Sequence, residues 1–345
     1  MFTISLCMIV KDEEMTIANV LSCATQFADE IIVVDTGSKD KTIDICKQFT
    51  NNIYHFKWCD DFSKARNFSF EKANMDYIMW LDADDYIDKA NIDKINALKN
   101  SLTPADVYMF KYVMGKDNNF EFYRERLLKN NGTFKWSGFV HEAIAPSGKI
   151  EYLDIEIMHK KIKANPPKRN LKLYNKALKQ KIQFSPREMY YYARELYYNN
   201  YYTKAIAVLN KYMRLKDTFT PNYVGACIIL AECYLAKNKL DLALDTMLKL
   251  LKRTNPNAEA CCLTASIYEK LNNIRGAIFW YNIALITPIS KEGFVQKDYL
   301  EYIPCMELCR LYYPIDYEKS KSYYLRAKDL KPNSPSVQYN AKFFI

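Results

Sequence analysis

One interval recurs along the second half of this chain, and it leaves few folds open. Ala193, Ala205, Leu209 and Tyr212 are matched at the same separations of 12, 4 and 3 residues by Ala231, Ala243, Met247 and Leu250, and again by Ala265, Ala277, Tyr281 and Ala284. A weaker fourth copy runs through Leu308, Ser320, Tyr324 and Ala327. Small residues are needed where the two helices of a unit cross closely, and Pro256, Pro288 and Pro332 stop the second helix of three units before the next begins. A chain with this period stacks helix pairs. Successive units lie 38, 34 and 43 residues apart, so the first and third junctions carry longer loops.

Residues 1–165 follow a different rule. Short apolar runs alternate with amphipathic stretches, the pattern of a sheet built from strand-helix units. Strands are expected over 3–10, 30–35, 53–56 and 76–82, with helices over 15–27, 41–49 and 63–74. Three of these strands end in polar, mostly acidic clusters at 11–14, 35–40 and 82–85. In an open α/β sheet the carboxyl ends of the strands form the ligand crevice, so these clusters should converge there, and 154–159 should end a later strand at the same edge. Composition divides at the same place. With 345 residues and 49% hydrophobic content the chain can build two cores. Residues 1–165 hold 21 Lys and Arg against 25 Asp and Glu, whereas 166–345 hold 28 against 15 together with 21 of the 28 tyrosines. Two domains are expected, an α/β domain over 1–165 and an all-α repeat domain over 166–345.

No apolar run reaches the roughly 18 to 20 residues needed to cross a bilayer, and no basic region precedes the first apolar stretch. The N-terminus reads as a first strand, and a cytosolic location is expected. The ten cysteines lack paired CxxC spacing and read as free thiols, mostly buried. The positive charge is spread along the repeats with no recognition module, which disfavours nucleic acid as a partner.

The densest chemical signal is Trp80-Leu81-Asp82-Ala83-Asp84-Asp85. If the strand continues through it, Asp82 and Asp84 point to one side, where two carboxylates repel unless a cation or proton relieves them. A divalent metal bridging two phosphate oxygens is the economical explanation. The plainer alternative is a solvated acidic turn capping a helix that starts near Asp88.

Four motifs occur in the order seen in family 2 glycosyltransferases: Met8-Ile9-Val10-Lys11-Asp12-Glu13-Glu14, Val33-Val34-Asp35-Thr36-Gly37-Ser38-Lys39-Asp40-Lys41-Thr42, Asp61-Phe62-Ser63-Lys64-Ala65-Arg66-Asn67 and the acidic tetrad. The resemblance spans about residues 3–160 and is specific as a set; the helix pairs similarly resemble tetratricopeptide repeats. It implies a GT-A fold, a nucleoside-diphosphate sugar donor, a divalent cation (Mn2+ or Mg2+) held at the Asp-x-Asp element, and inversion at the anomeric carbon. By motif position Val10, Glu14, Asp35 and Arg66 look like nucleoside contacts, Asp82 like the ribose ligand and Asp84 like a metal ligand. Asp12 stands where the family more often has Asn. Physically, Asp35 can accept the imide N–H of a uracil and Arg66 can donate to a base carbonyl or neutralise a phosphate, which suits a UDP-sugar. The alternative for Arg66 is a surface ion pair with Asp60 or Asp61, and for Gly37-Ser38 simply a tight turn.

Two of the three histidines fall in Trp136-Ser137-Gly138-Phe139-Val140-His141-Glu142 and Ile155-Glu156-Ile157-Met158-His159. In relatives with helical repeats a similar Trp-x-Gly-x-x-His-Glu stretch lies near the acceptor, and a later strand-ending His looks like a third metal ligand, here His159. An inverting displacement needs a base within reach of the acceptor heteroatom, and Glu142 and Asp85 both qualify. His141 would orient Glu142 or touch the phosphates, Trp136 would help exclude water, and His55 reads as structural. The array would present a basic, tyrosine-rich surface to an extended peptide or protein acceptor with acidic segments, or pair two subunits. Transfer of a hexose or N-acetylhexosamine to a peptide or protein is the expected activity, with cell-surface saccharide assembly as the alternative. An adaptor with a degenerate transferase domain would not need these motifs intact, and a nucleotidyltransferase would need a basic glycine-rich loop after the first strand.

Overall fold

The computed structural model describes residues 1–101, 104–114, 120–160, 166–216, 218–289 and 293–344. They form two compact units, Met1–Lys181 and Ile182–Ile345. The sequence boundary at 165 lies outside the described residues, and the break in packing falls later because the helix Arg169–Lys179 belongs to the first unit. Its Tyr174 is fully buried with the ring 5.2 Å from that of Phe139, and Lys176 pairs with Asp60.

In the first unit the strands β1 (Ile4–Val10), β2 (Glu30–Asp35), β3 (Ile53–His55), β4 (Tyr77–Trp80), β5 (Asp85–Tyr86), β6 (Val107–Met114), β7 (Phe120–Lys129) and β10 (Ile150–His159) build one mixed sheet in the order β3-β2-β1-β4-β7-β6-β10-β5. A small hairpin of β8 (Trp136–Ser137) and β9 (Ala143–Ile144) accompanies it. Strand β1 is almost wholly buried because it is apolar on both faces, as a central parallel strand must be. Ile4, Leu6, Met8 and Val10 pack with helices α1 (Ile17–Ala24), α2 (Thr42–Cys46) and α4 (Lys89–Leu98) on one face, while Cys7 joins Ile32, Val34, Trp80 and Phe70 of helix α3 (Phe62–Phe70) on the other. The chain winds outward from β1 to β2 and β3, then crosses back to β4, so the crevice opens at the carboxyl end of β1.

The strand expected over 76–82 stops at Trp80. Residues 82–85 form a turn closed by the Asp85 N–H donating to Asp82 O at 3.1 Å. Asp82 and Asp84 therefore do not share a strand face. The helix cap is Asp88 itself, whose carboxylate accepts from Asn91 N at 2.8 Å, so capping does not account for the acidic tetrad. Across the sheet, β10 runs parallel to β6 and its last residue, His159, pairs antiparallel with Asp85.

The second unit consists of helix pairs. They are Pro186–Tyr198 with Tyr202–Tyr212, Thr220–Leu235 with Leu240–Leu251, Ala258–Lys270 with Ile274–Ile286, and Tyr302–Tyr312 with Tyr317–Leu330; a further short helix, Pro335–Asn340, follows. Every residue of the four aligned copies is at most 4% exposed, the first on the leading helix and the other three on the returning one. Asn200, Asn238 and Asn272 turn the first three pairs in left-handed backbone, where Asn is among the few side chains tolerated. Gly225 leaves room for a neighbour, because a Cβ there would stand 2.4 Å from the Tyr190 hydroxyl. Tyr190, Tyr191 and Tyr192 are buried, so this run packs the helices, whereas Tyr198 and Tyr201 are exposed. All described cysteines are free and all but Cys59 are buried. Among the described residues no helix is long and apolar enough to cross a membrane.

Burial, and then the charge of Glu232, push the Glu259 carboxyl up to about 7 despite the opposing charge of Arg194. A folded-state pKa raised above the unfolded value of roughly 4.3 means stability is lost as pH rises between the two. Glu259→Gln is expected to raise the unfolding midpoint of the repeats progressively from pH 4.5 to 7 and by a constant amount above, as thermal unfolding across that range would read.

Candidate active site

The turn after β4 meets His159 at the sheet edge. His159 Nδ1 stands 3.3 Å from Asp84 Oδ1 and 3.7 Å from Asp85 Oδ1, and one ligand atom from each of the three residues falls within 4.8 Å of the others. The two carboxylates are not equivalent. Asp85 has no exposed side-chain surface, and its oxygens accept from the Tyr112 hydroxyl at 2.8 Å, Arg126 Nη1 at 3.0 Å and Asp82 N at 2.9 Å. Asp84 and His159 keep 24% and 21% of their side-chain surface, so these two face the crevice. Burial lowers the proton affinity of His159, but hydrogen bonds to Asp84 and Asp85 and their charges outweigh it and push the imidazole up to about 9.

Arg66 is the second centre. Its Nη2 donates to Asp82 Oδ1 at 2.6 Å and its Nε to Glu142 Oε1 at 2.7 Å, while the guanidinium lies 5.0 Å from the Trp80 ring centre and 4.7 Å from that of Trp136. These partners replace the surface pair with Asp60 or Asp61. Asp61 caps α3 through Lys64 N at 3.1 Å. Burial disfavours the Asp82 carboxylate, yet the charges of Arg66 and Arg126 hold it down at about 2. Trp136 is buried edge-on to Trp80 at 4.8 Å, and Asn67 pins its strand by accepting from Trp136 N at 2.8 Å and donating to Trp136 O at 3.0 Å. The hairpin thereby delivers Glu142. His141 sits in left-handed backbone 3.5 Å from Asn170 Nδ2.

At the ends of β1 and β2 the two acidic clusters knit into one rim. Asp12 Oδ1 accepts from Lys39 N at 2.7 Å, Glu13 N donates to Thr42 Oγ1 at 2.7 Å, and Lys41 N donates to Glu14 Oε2 at 3.1 Å. Asp12 has φ 54°, a left-handed conformation that Asp, like Asn, tolerates. Asp35 is buried and accepts from Ser38 N at 2.9 Å and Gly37 N at 3.2 Å, with His55 Nδ1 at 3.3 Å. Gly37 needs its φ of 109° for this turn. Val10 is buried beside Asp35, its carbonyl accepting from Thr36 N at 3.0 Å, and Glu14 is exposed on the rim.

Sequence reasoning missed Tyr112, Arg124 and Arg126. Arg124 lies 4.7 Å from the Trp80 ring centre and pairs with Glu125 at 3.0 Å, and Arg126 lies 3.7 Å from the same ring centre. The signal was the charged run Arg124-Glu125-Arg126 in the middle of a strand whose other residues are apolar or aromatic apart from Glu121 and Lys129.

The model of the family described as glycosyl transferase family 2 matches residues 5–197. The SPbeta prophage-derived glycosyltransferase SunS of Bacillus subtilis is 28% identical over 260 residues, covering 70% of this chain and 61% of that protein. A TPR repeat-containing protein of Synechococcus elongatus is 44% identical over 85 residues, 25% of this chain and 21% of that one. The chain thus spans less than two thirds of each of these relatives. The solved structure of S. aureus TarS 1-349 aligns over 80% of this chain and 89% of that one at 13% identity, with a TM-score of 0.37.

Proposed function

The chain belongs to glycosyl transferase family 2, and we propose that it transfers a hexose or N-acetylhexosamine from a UDP-sugar to a peptide or protein side chain, with inversion and with a divalent metal. The observation that carries this reading is the meeting at one sheet edge of the open pair Asp84 and His159 with the Arg66-bridged carboxylates Asp82 and Glu142. Asp84 and His159 would hold the ion, and a mixed oxygen and nitrogen set fits Mn2+ better than Mg2+. When bound, it offsets charge developing on the departing diphosphate. Val10, Glu14 and Asp35 line the nucleoside end of the rim, and Asp82 takes the ribose.

Glu142 is the base. Asp85 is sealed and its oxygens are committed, whereas Glu142 is held by Arg66 through Oε1 alone and its Oε2 accepts from no described residue. The aromatic wall of Trp80 and Trp136 keeps water from the attacking heteroatom and His141 flanks the base. Two subunits or an acceptor segment engage the repeats. Glu142→Gln preserves the shape beside Arg66 but cannot take a proton, so kcat for UDP release is expected to fall by about 10²- to 10⁴-fold with calorimetric UDP-sugar affinity retained. An unchanged kcat would remove Glu142 from the chemistry.

A further inference from the structure

Arg126 is a cation with no exposed surface. Its Nη1 donates to Asp85 Oδ2 at 3.0 Å and to Trp80 O at 3.1 Å, its guanidinium centre lies 3.7 Å from the Trp80 ring centre and 4.4 Å from that of Tyr112, and Nε and Nη2 have no partner among the described residues. Desolvating such a pair costs as much as the attraction returns, and an apolar pair of the same volume would hold the fold at least as well. Its use therefore lies in what it positions.

Asp85 Oδ2 also accepts from Asp82 N, and Asp85 Oδ1 accepts from Tyr112, whose hydroxyl lies 2.9 Å from His159 Nδ1. Arg126 thus ties the end of β4, through Trp80 O, to the far side of the 82–85 turn, and Tyr112 ties that turn to His159. We propose that Arg126 and Tyr112 are positioning residues of the metal centre, clamping Asp85 so that Asp84 and His159 face one another in ligating geometry. This rests on the metal-dependent reading above.

The test is Mn2+ binding to the full chain, read from the electron paramagnetic resonance signal of free Mn2+ with no turnover involved, beside a thermal unfolding curve for each variant. Partners that orient metal ligands typically contribute 10- to 100-fold in affinity. Tyr112→Phe is expected to weaken Mn2+ binding by about tenfold and Arg126→Met by about 10- to 100-fold. Arg126→Lys should recover part of the loss, since it restores the charge without the fork that reaches both Trp80 O and Asp85. Wild-type Mn2+ affinity in folded Tyr112→Phe or Arg126→Met overturns the proposal, and if Arg126→Met does not fold, Tyr112→Phe decides alone. A wild-type chain that binds no Mn2+ overturns the metal-dependent reading itself, and this proposal with it.

Discussion

Asp84→Ala is expected to lower UDP release from the donor by about 10³-fold or more in a chain that still folds. The size follows from the several kcal/mol that an ion contributes by stabilising charge in the transition state. No neighbour can take over the role. Asp85 is buried with its oxygens bonded to Tyr112, Arg126 and Asp82 N, and Asp82 is turned to Arg66. That leaves His159 as a single open ligand. The chain still folds because Asp84 keeps a quarter of its side-chain surface in solvent and belongs to neither core cluster of the sheet, although losing its pairing with His159 lowers the unfolding midpoint somewhat. Steady-state UDP release at saturating Mn2+, with a melting curve on the same preparation, separates the two effects. Substantial activity in a folded Asp84→Ala chain would move the metal elsewhere.

Arg66→Met should produce the largest change in stability. Methionine keeps an apolar stem between Trp80 and Trp136 but removes the charge that holds both Asp82 and Glu142. Breaking the largely buried pair with Glu142 by removing its partner costs about 3 kcal/mol or more, because Glu142 keeps only 12% of its side-chain surface in solvent, whereas Asp82 keeps 33%. The penalty depends on pH with a definite sign. Asp82 is held at about 2 in the folded chain, below the roughly 3.9 of an unfolded Asp. Its contribution is complete above about pH 4 and fades as pH falls toward 2. The gap between wild type and Arg66→Met in denaturant midpoint, followed by tryptophan fluorescence, should therefore be widest at neutral pH and narrow in acid. Equal midpoints at pH 7 would show that the bridge does not bear on stability.

The helix pairs were legible because their crossings demand small or apolar residues at fixed separations, and Ala193, Ala231 and Ala265 are fully buried where that spacing puts them. The central strands were legible for a similar reason, since a strand buried on both faces leaves a nearly continuous apolar run such as Ile4–Val10, broken only by Ser5. Partners distant in sequence were not. The ion pair with Asp60 or Asp61, the alternative to a nucleoside contact for Arg66, gives way to partners at Asp82 and Glu142, brought to it by a helix, a turn and a hairpin. The strand end at Trp80 was overrun because Leu81 and Ala83 are apolar and extend the alternation, while the turn is made by long-range clamps from Tyr112 and Arg126. The helix Arg169–Lys179 was assigned to the repeats because amphipathic periodicity carries no information about which core it joins.

Release of uridine diphosphate from a panel of UDP-sugars, with and without Mn2+, is the most direct test of the transferase reading. Slow hydrolysis of one donor, present only with Mn2+ and lost in Asp84→Ala, is the predicted result and would also name the sugar. No turnover with any donor, together with no calorimetric binding of any UDP-sugar, would contradict it.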